Sequence, residues 1–329
     1  MNMRNSLMNL SPSIAFAAAV VLGVATPAFA QDYPARPVQI IVGYAPGGGT
    51  DLLARVIAPP LGKALGQTVI VKNVPGAGGQ LGAAATLREG ADGLAILALN
   101  HPDLYMAAAR SEGQFKPGDF QIIMVDLKDP RVLLVQKSSD IADFADFVRR
   151  AKAEPGKLSV SVAQGSAQEL FAKWLFDKLA IDVIVVGYKS GNDAATALLS
   201  GNVTATLGDD YARLNIKDRS KALFVAAKDK SPRWPEAPTL TAVLAPYGIA
   251  LPSAEFLARY GIYAVPSSFR KNHPDAYRKL QGALIAARSA PEFRDYISNN
   301  QLQDLSIGRP GEEFDAAFAA DMVGVDKIK

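Results

Sequence analysis

Three short stretches of this sequence combine glycine with small polar residues where an apolar run gives way to a helical pattern. They are APGGGTD at residues 45–51, NVPGAGG at 73–79 and AQGSAQE at 163–169. Such a turn presents unpaired backbone N–H groups and the positive end of a helix dipole, and an absent Cβ lets an anion reach them. The chemistry on offer is anion capture, and it needs no arginine. Neither of the first two turns holds a basic residue to match a double charge, so a carboxylate suits them better than a phosphate. Nucleotide binding fits poorly, because G-x-G-x-x-G needs glycine where Leu52 and Leu81 stand, and no G-x-x-x-x-G-K-[ST] occurs.

The third turn contains Ser166-Ala-Gln-Glu169, a capping-box pattern in which Ser166 caps a helix and Glu169 folds back to the cap. Gln164, Ser166 and Gln168 are also candidates for contact with the far end of a ligand. Glu169, if it faced the ligand, would disfavour a second carboxylate and favour a hydroxyl or amine. Catalytic groupings are scarce: the two histidines are His101 and His273, and there is no H-E-x-x-H and no G-x-S-x-G. His273 precedes Pro274 at a helix start and is expected at the surface. His101 follows an apolar strand and is either a ligand contact at the sheet edge or an ordinary loop residue. Asp209, with Asp210, ends a predicted strand and can accept from a ligand donor, while Lys189 offers a positive charge at a cleft rim. No metal cluster or cofactor motif stands out.

The elements that would position these residues alternate strand and helix. Strands are predicted at residues 38–44, 68–72 and 94–99, with helices at 51–65 and 79–88 between them. Pro59-Pro60 predicts a kink or break in the first helix. After a strand at 121–127 and a connector at Lys128-Asp129-Pro130, a second series follows. Its strands are at 132–136, 158–162, 182–186, 203–207 and 222–226, and its helices at 141–153, 167–179 and 193–200. SPRWPEAPT, at 231–239, has three prolines and reads as a fixed loop. A strand at 260–265 and a helix at 274–289 would return the chain to the first series. The expectation is an α/β protein of two lobes, each a mainly parallel sheet flanked by helices. Lobe 1 takes residues 31–127 and 250–329 and lobe 2 takes 128–249, joined by a hinge of two short strands.

Composition narrows the setting. The apolar run at residues 14–25 after Arg4, ending in Ala28-Phe29-Ala30, predicts a secretory signal peptide over residues 1–30, cleaved after Ala30. The absence of cysteine removes disulfides and thiolate ligands. Export without cysteine suits a bacterial periplasm. Net charge is +3, and Arg4 is the one charged side chain of the signal segment, leaving 3 − 1 = +2. So balanced a surface argues against nucleic acid or an anionic membrane as the main partner. The remaining chain, about 300 residues, is long enough for two lobes and a cleft.

Several stretches of the chain carry a resemblance: YPARPVQIIVGYAPGGGTDLLAR (33–55), LGQTVIVKNVPGAGGQLGA (65–83), ADGLAIL (91–97), PGKLSVS (155–161), VGYKSGNDAATALLSGNV (186–203) and SPRWPEAPTL (231–240). In this order they resemble the periplasmic receptors of tripartite tricarboxylate transporters, the Bug family of solute-binding proteins. The resemblance implies a type II periplasmic-binding fold of the Venus-flytrap kind, monomeric and without cofactor or catalysis, that delivers an organic carboxylate to membrane permease subunits. It implies a proximal set of Tyr44, Gly47, Gly48, Thr50 and Asp51 with Gly76, Ala77 and Gly78. The selecting set it implies is Gln164, Gly165, Ser166 and Gln168, with Asp209. Departures are Ala45-Pro46 for a proline pair, Val74 for an arginine, Gln168 and Glu169 in the third loop, and Pro59-Pro60. A component feeding a signalling kinase, or a periplasmic enzyme acting on an organic acid, stands as the alternative.

Overall fold

A computed structural model describes residues 33–251 and 257–326, the last six of these by backbone alone. The predicted signal segment, residues 1–30, lies outside them. The chain runs through β1 (Val38–Val42), α1 (Gly49–Leu65), β2 (Val69–Asn73), α2 (Gln80–Glu89), β3 (Ala95–His101), α3 (Asp103–Arg110) and the long β4 (Phe120–Gln136). Then come α4 (Phe144–Ala153), β5 (Ser159–Ala163), α5 (Ala167–Lys178), β6 (Ile184–Tyr188), α6 (Gly191–Leu199), β7 (Ala205–Asp209) and β8 (Ser220–Val225). It closes with α7 (Leu240–Leu244), β9 (Ala258–Pro266), α8 (Ser267–Asn272), α9 (Pro274–Arg288), α10 (Pro291–Asn299), β10 (Ser306–Pro310) and α11 (Asp315–Asp326). No helix among the described residues is long and apolar enough to cross a membrane.

The strands form one curled sheet in the order β2-β1-β3-β9-β4-β7-β5-β6, with β8 and β10 also paired to β4. Both wings are parallel, β1 between β2 and β3, and β5 between β6 and β7. Runs such as AILALNH in β3, buried at every position, are what a parallel strand covered on both faces requires. The middle is antiparallel, where β9 and β4 join the wings.

Two predictions need correction. Pro59 and Pro60 do not break α1, which runs unbroken to Leu65 and ends at Gly66 in the left-handed conformation. Its buried face of Leu53, Ala54, Ile57, Leu61 and Leu65 packs with Leu280 and Leu284 of α9, and that burial outweighs the lost amide donors. Nor do Lys128, Asp129 and Pro130 form a connector: they lie inside the seventeen-residue β4. Its first part pairs with β9 as far as Pro130, and its second part pairs with β7 from Arg131 onward. Proline has no amide to donate, so it is tolerated where the strand exchanges partners.

One apolar core gathers β1, β3, α1 and α9 around Ile40, Ile57 and Leu284. Another gathers β5, α4 and α5 around Val160, Phe147 and Phe171. The 231–239 segment is irregular, as its prolines predict. Trp234 buries its ring there and donates from Nε1 to Asp210 O at 3.3 Å.

Candidate ligand-binding site

The partner exchange in β4 brings charge to the middle of the sheet. Asp129 lies directly opposite Arg259 of β9, and Arg131 directly opposite Asp209 of β7. Cross-strand neighbours are close enough for both couples to pair. Arg259 holds Asp129 Oδ2 at 2.8 Å from Nη2 and reaches Asp209 Oδ2 at 3.1 Å from Nε, while Arg131 Nη1 holds Asp209 Oδ1. Gln168 Nε2 donates to Asp209 Oδ2 at 2.7 Å, and the Tyr211 amide to Asp129 Oδ1 at 2.9 Å. Arg259 Nη1 also donates to Asn100 Oδ1 at 2.8 Å and Thr50 Oγ1 at 3.2 Å. All these charged groups are at most 3 % exposed.

Burial disfavours charge, and the neighbours decide which groups keep theirs. Burial pushes the Asp129 carboxyl up to about 6, with Asp209 and Asp210 adding to the rise and Arg259 opposing it. For Arg259 burial lowers the pKa, but the Asp129 and Asp209 carboxylates outweigh it and the net shift is upward. Arg213 is different: burial is the largest influence and its pKa falls. Burial and the adjoining Asp103 carboxylate hold the Tyr44 hydroxyl well above its usual range.

Arg213 belongs to the 3₁₀ segment Tyr211–Arg219 and lies against two glycines. A Cβ at Gly208 would sit 2.3 Å from Arg213 Nε, and one at Gly191 would sit 3.2 Å from Nη1. These two glycines make the slot that the guanidinium fills. Among the described residues, Nε and Nη2 of Arg213 and Nε and Nη2 of Arg131 are buried without a hydrogen-bond partner. Gly208→Ala is therefore expected to displace the guanidinium and weaken anion binding by about tenfold or more, the loss of one to two charge-assisted hydrogen bonds. Titration calorimetry checks this, and unchanged affinity would mean that Arg213 does not hold the ligand.

Both arginines line a cavity of about 60 Å³. Tyr44, Gly48, Thr50, Asn100 and Asp103 close it on one side, and Ser166, Gln168, Asp209 and the start of α6, Ser190 to Asn192, on the other. Ser190 caps α6 by accepting from Asp193 N at 3.1 Å, so the positive end of that helix adjoins Arg213. The two walls touch. Ala167 N donates to Asp103 Oδ1 at 2.7 Å, and Asn192 Nδ2 donates to Pro46 O at 3.2 Å.

The expected residues fall into groups. Tyr44, Gly48, Thr50, Ser166, Gln168 and Asp209 line the cavity. Asp51 does not: it is buried beneath the turn, accepting from Gly47 N at 2.8 Å, Asn73 Nδ2 at 2.8 Å and Arg55. The Gly47 amide is thus taken by the chain itself. Gly76, Ala77 and Gly78, with Gln164, Gly165 and Lys189, line a separate groove beside Arg110. There the loops meet, since a Cβ at Gly78 would lie 2.6 Å from Gly165 O. His101 is not a cavity residue. It is fully buried, stacked on Phe318 with ring centroids 3.8 Å apart, because the apolar β3 carries it into an aromatic core. His273 is exposed, as expected. Glu169 accepts from Gly165 N at 2.8 Å and Lys173 Nζ at 2.6 Å, serving the helix start and not the cavity. Sequence reasoning missed Arg131, Arg213, Arg259, Asn100, Asp103 and Asn192. The one available signal was charge inside apolar strands, at KDPRVLLV and ARYGIYAV.

Comparison with known proteins supplies the lineage. Residues 53–315 match the model of the tripartite tricarboxylate transporter family receptor. The protein BugT of Bordetella pertussis is 32% identical over 249 residues, covering 73% of this chain and 75% of the relative. Among solved structures, MatC from Rhodopseudomonas palustris with bound malate superposes with a TM-score of 0.75 at 23% identity, covering 90% of this chain and 98% of that one. An R. palustris protein with adipate gives 0.78 at 22% identity, with 90% and 97% covered. At those identities the structural likeness speaks for the fold, that of periplasmic binding proteins. The match across most of the chain establishes that it belongs to the tripartite tricarboxylate transporter receptors, a family of solute-binding proteins and not of enzymes.

Proposed function

We propose that this protein is a periplasmic receptor that encloses a small organic carboxylate between two lobes and hands it to the membrane subunits of a tripartite transporter. The observation that carries the carboxylate is the set of buried guanidinium N–H groups of Arg131 and Arg213 on the cavity wall without an acceptor. A buried donor left unpaired costs free energy that a bound carboxylate would recover. The malate and adipate bound by the two R. palustris proteins support the same ligand class. The lobes in this reading are residues 31–127 with 250–329, and residues 128–249. The contacts from Ala167 to Asp103 and from Asn192 to Pro46 would form on closing, as would those at the Gly78–Gly165 groove.

The test is thermal unfolding of residues 31–329 with mono-, di- and tricarboxylates, aromatic acids and nucleotides. A ligand present at a hundred times its dissociation constant adds about 2.7 kcal/mol to the folded state, enough to raise the melting temperature by several degrees. At least one carboxylate is expected to do so. A response to nucleotides alone, or to nothing, would refute the proposal.

A further inference from the structure

The helix start that would receive the far end of a diacid is already filled by the chain. Ala167, first residue of α5, donates its amide to Asp103 Oδ1 at 2.7 Å. Gln168 N goes to Ser166 Oγ at 3.2 Å, and Glu169 N to Ser166 O at 3.1 Å. No amide in that first turn is left for a ligand. Asp103 is held in place from its other oxygen, which accepts from Tyr44 OH at 2.5 Å, and Tyr44 in turn accepts from Asn100 Nδ2 at 2.9 Å. The acid is only 5 % exposed and lines the cavity. A carboxylate of the protein therefore stands where a second ligand carboxylate would need to sit.

Charge and size agree with this. Arg131, Arg213 and Arg259 line the cavity with two aspartates, Asp103 and Asp209, so its wall carries 3 − 2 = +1. Asp129, behind Arg259, lowers that surplus further when ionised. The unpartnered polar atoms of Arg131 and Arg213 are all donors, which excludes an ammonium group as their partner. The cavity, about 60 Å³, is small beside the roughly 300–1,000 Å³ of an ordinary small-molecule pocket, which favours a compact ligand.

We infer that the ligand is a compact monocarboxylate whose one anionic group meets Arg213, Arg131 and the start of α6, and that Asp103 is the residue that rejects dicarboxylates. This rests on the carboxylate reading above and narrows it. Asp103 acts twice, filling the α5 amide and opposing a second negative charge in a site shielded from water.

Calorimetry on the wild-type protein with matched pairs, propionate against malonate and butyrate against succinate, tests the inference. The monocarboxylate of each pair is expected to bind at least about tenfold more tightly, since an unscreened like charge carries a penalty of that size or larger. The isosteric variant Asp103→Asn is expected to shrink this ratio by strengthening the dicarboxylate relative to the monocarboxylate, whatever the lost contact to Ala167 N costs both ligands alike. Equal or tighter binding of the dicarboxylate to the wild type would overturn the inference and leave the carboxylate reading standing. An unchanged ratio in a folded Asp103→Asn protein would overturn the role given to Asp103. Binding of no acid at all would remove both readings. The wild-type ratio decides the ligand class even if the variant fails to fold.

Discussion

Arg213→Met is expected to abolish carboxylate binding while leaving the ligand-free protein as stable as before, or more so. The guanidinium is 2 % exposed, no ion pair to it is seen among the described residues, and burial depresses its pKa. A cation in that position opposes folding, because desolvation is only partly repaid by Asp209 and Asp129 at a distance. Methionine can follow the same slot over Gly208 and Gly191 without a charge. For the ligand the sign is reversed. Removing the cation leaves a buried carboxylate without its partner, at about 3–5 kcal/mol, or roughly a hundred- to several-thousandfold in affinity. Urea unfolding and calorimetry on one preparation separate the two effects. Loss of stability together with unchanged binding would make Arg213 a structural residue and withdraw it from the site.

Much of the architecture was legible because it follows from local pattern. Alternating apolar runs and helical stretches located the strands and helices of both wings, and the Ser166 cap, Gln168 and Asp209 came from the same reading. The arginines were not legible, for a reason of register. Arg131 faces Asp209, and Arg259 faces Asp129, only because β4 is continuous through Pro130 and exchanges β9 for β7 there. A dipeptide such as Asp129-Pro130 looks like a turn until the partner strands are known.

The glycine turns were overread in part, since the chain itself makes close approaches to them. A Cβ at Gly49 would lie 2.8 Å from Arg259 Nη2, so that glycine admits an arginine to the site. The sequence also raised the idea of an acid that discriminates against diacids, but placed it on Glu169. The structure puts Asp103 in the cavity instead, from the turn after β3, and only the closure of one wall on the other reveals it.

Arg233→Met is expected to have the opposite effect on stability from Arg213→Met, although the two arginines are about equally buried. Arg233 has what Arg213 lacks. Its Nε holds Asp210 Oδ1 at 2.7 Å, its Nη2 holds Asp210 Oδ2 at 3.0 Å, and Asp304 receives Nη1 at 2.7 Å and Nη2 at 2.9 Å. Burial works against its charge, but Asp304 and Asp210 together raise its pKa. Asp210 is fully buried and, among the described residues, retains only Ser231 Oγ, at 2.5 Å, as a side-chain donor once the guanidinium is gone. An uncompensated buried carboxylate costs about 3–5 kcal/mol, seen as a lower urea midpoint. Asp210→Asn in the same background removes that charge and should recover part of the loss, a coupling measured by a double-mutant cycle. A change below about 0.5 kcal/mol would place the network among exposed ion pairs of little worth. Such a result would also weaken the case for Arg213, because both predictions rest on the same premise: in this protein a buried arginine contributes what its partner allows, and Arg213, for which no ion pair is seen among the described residues, has its partner supplied by a ligand.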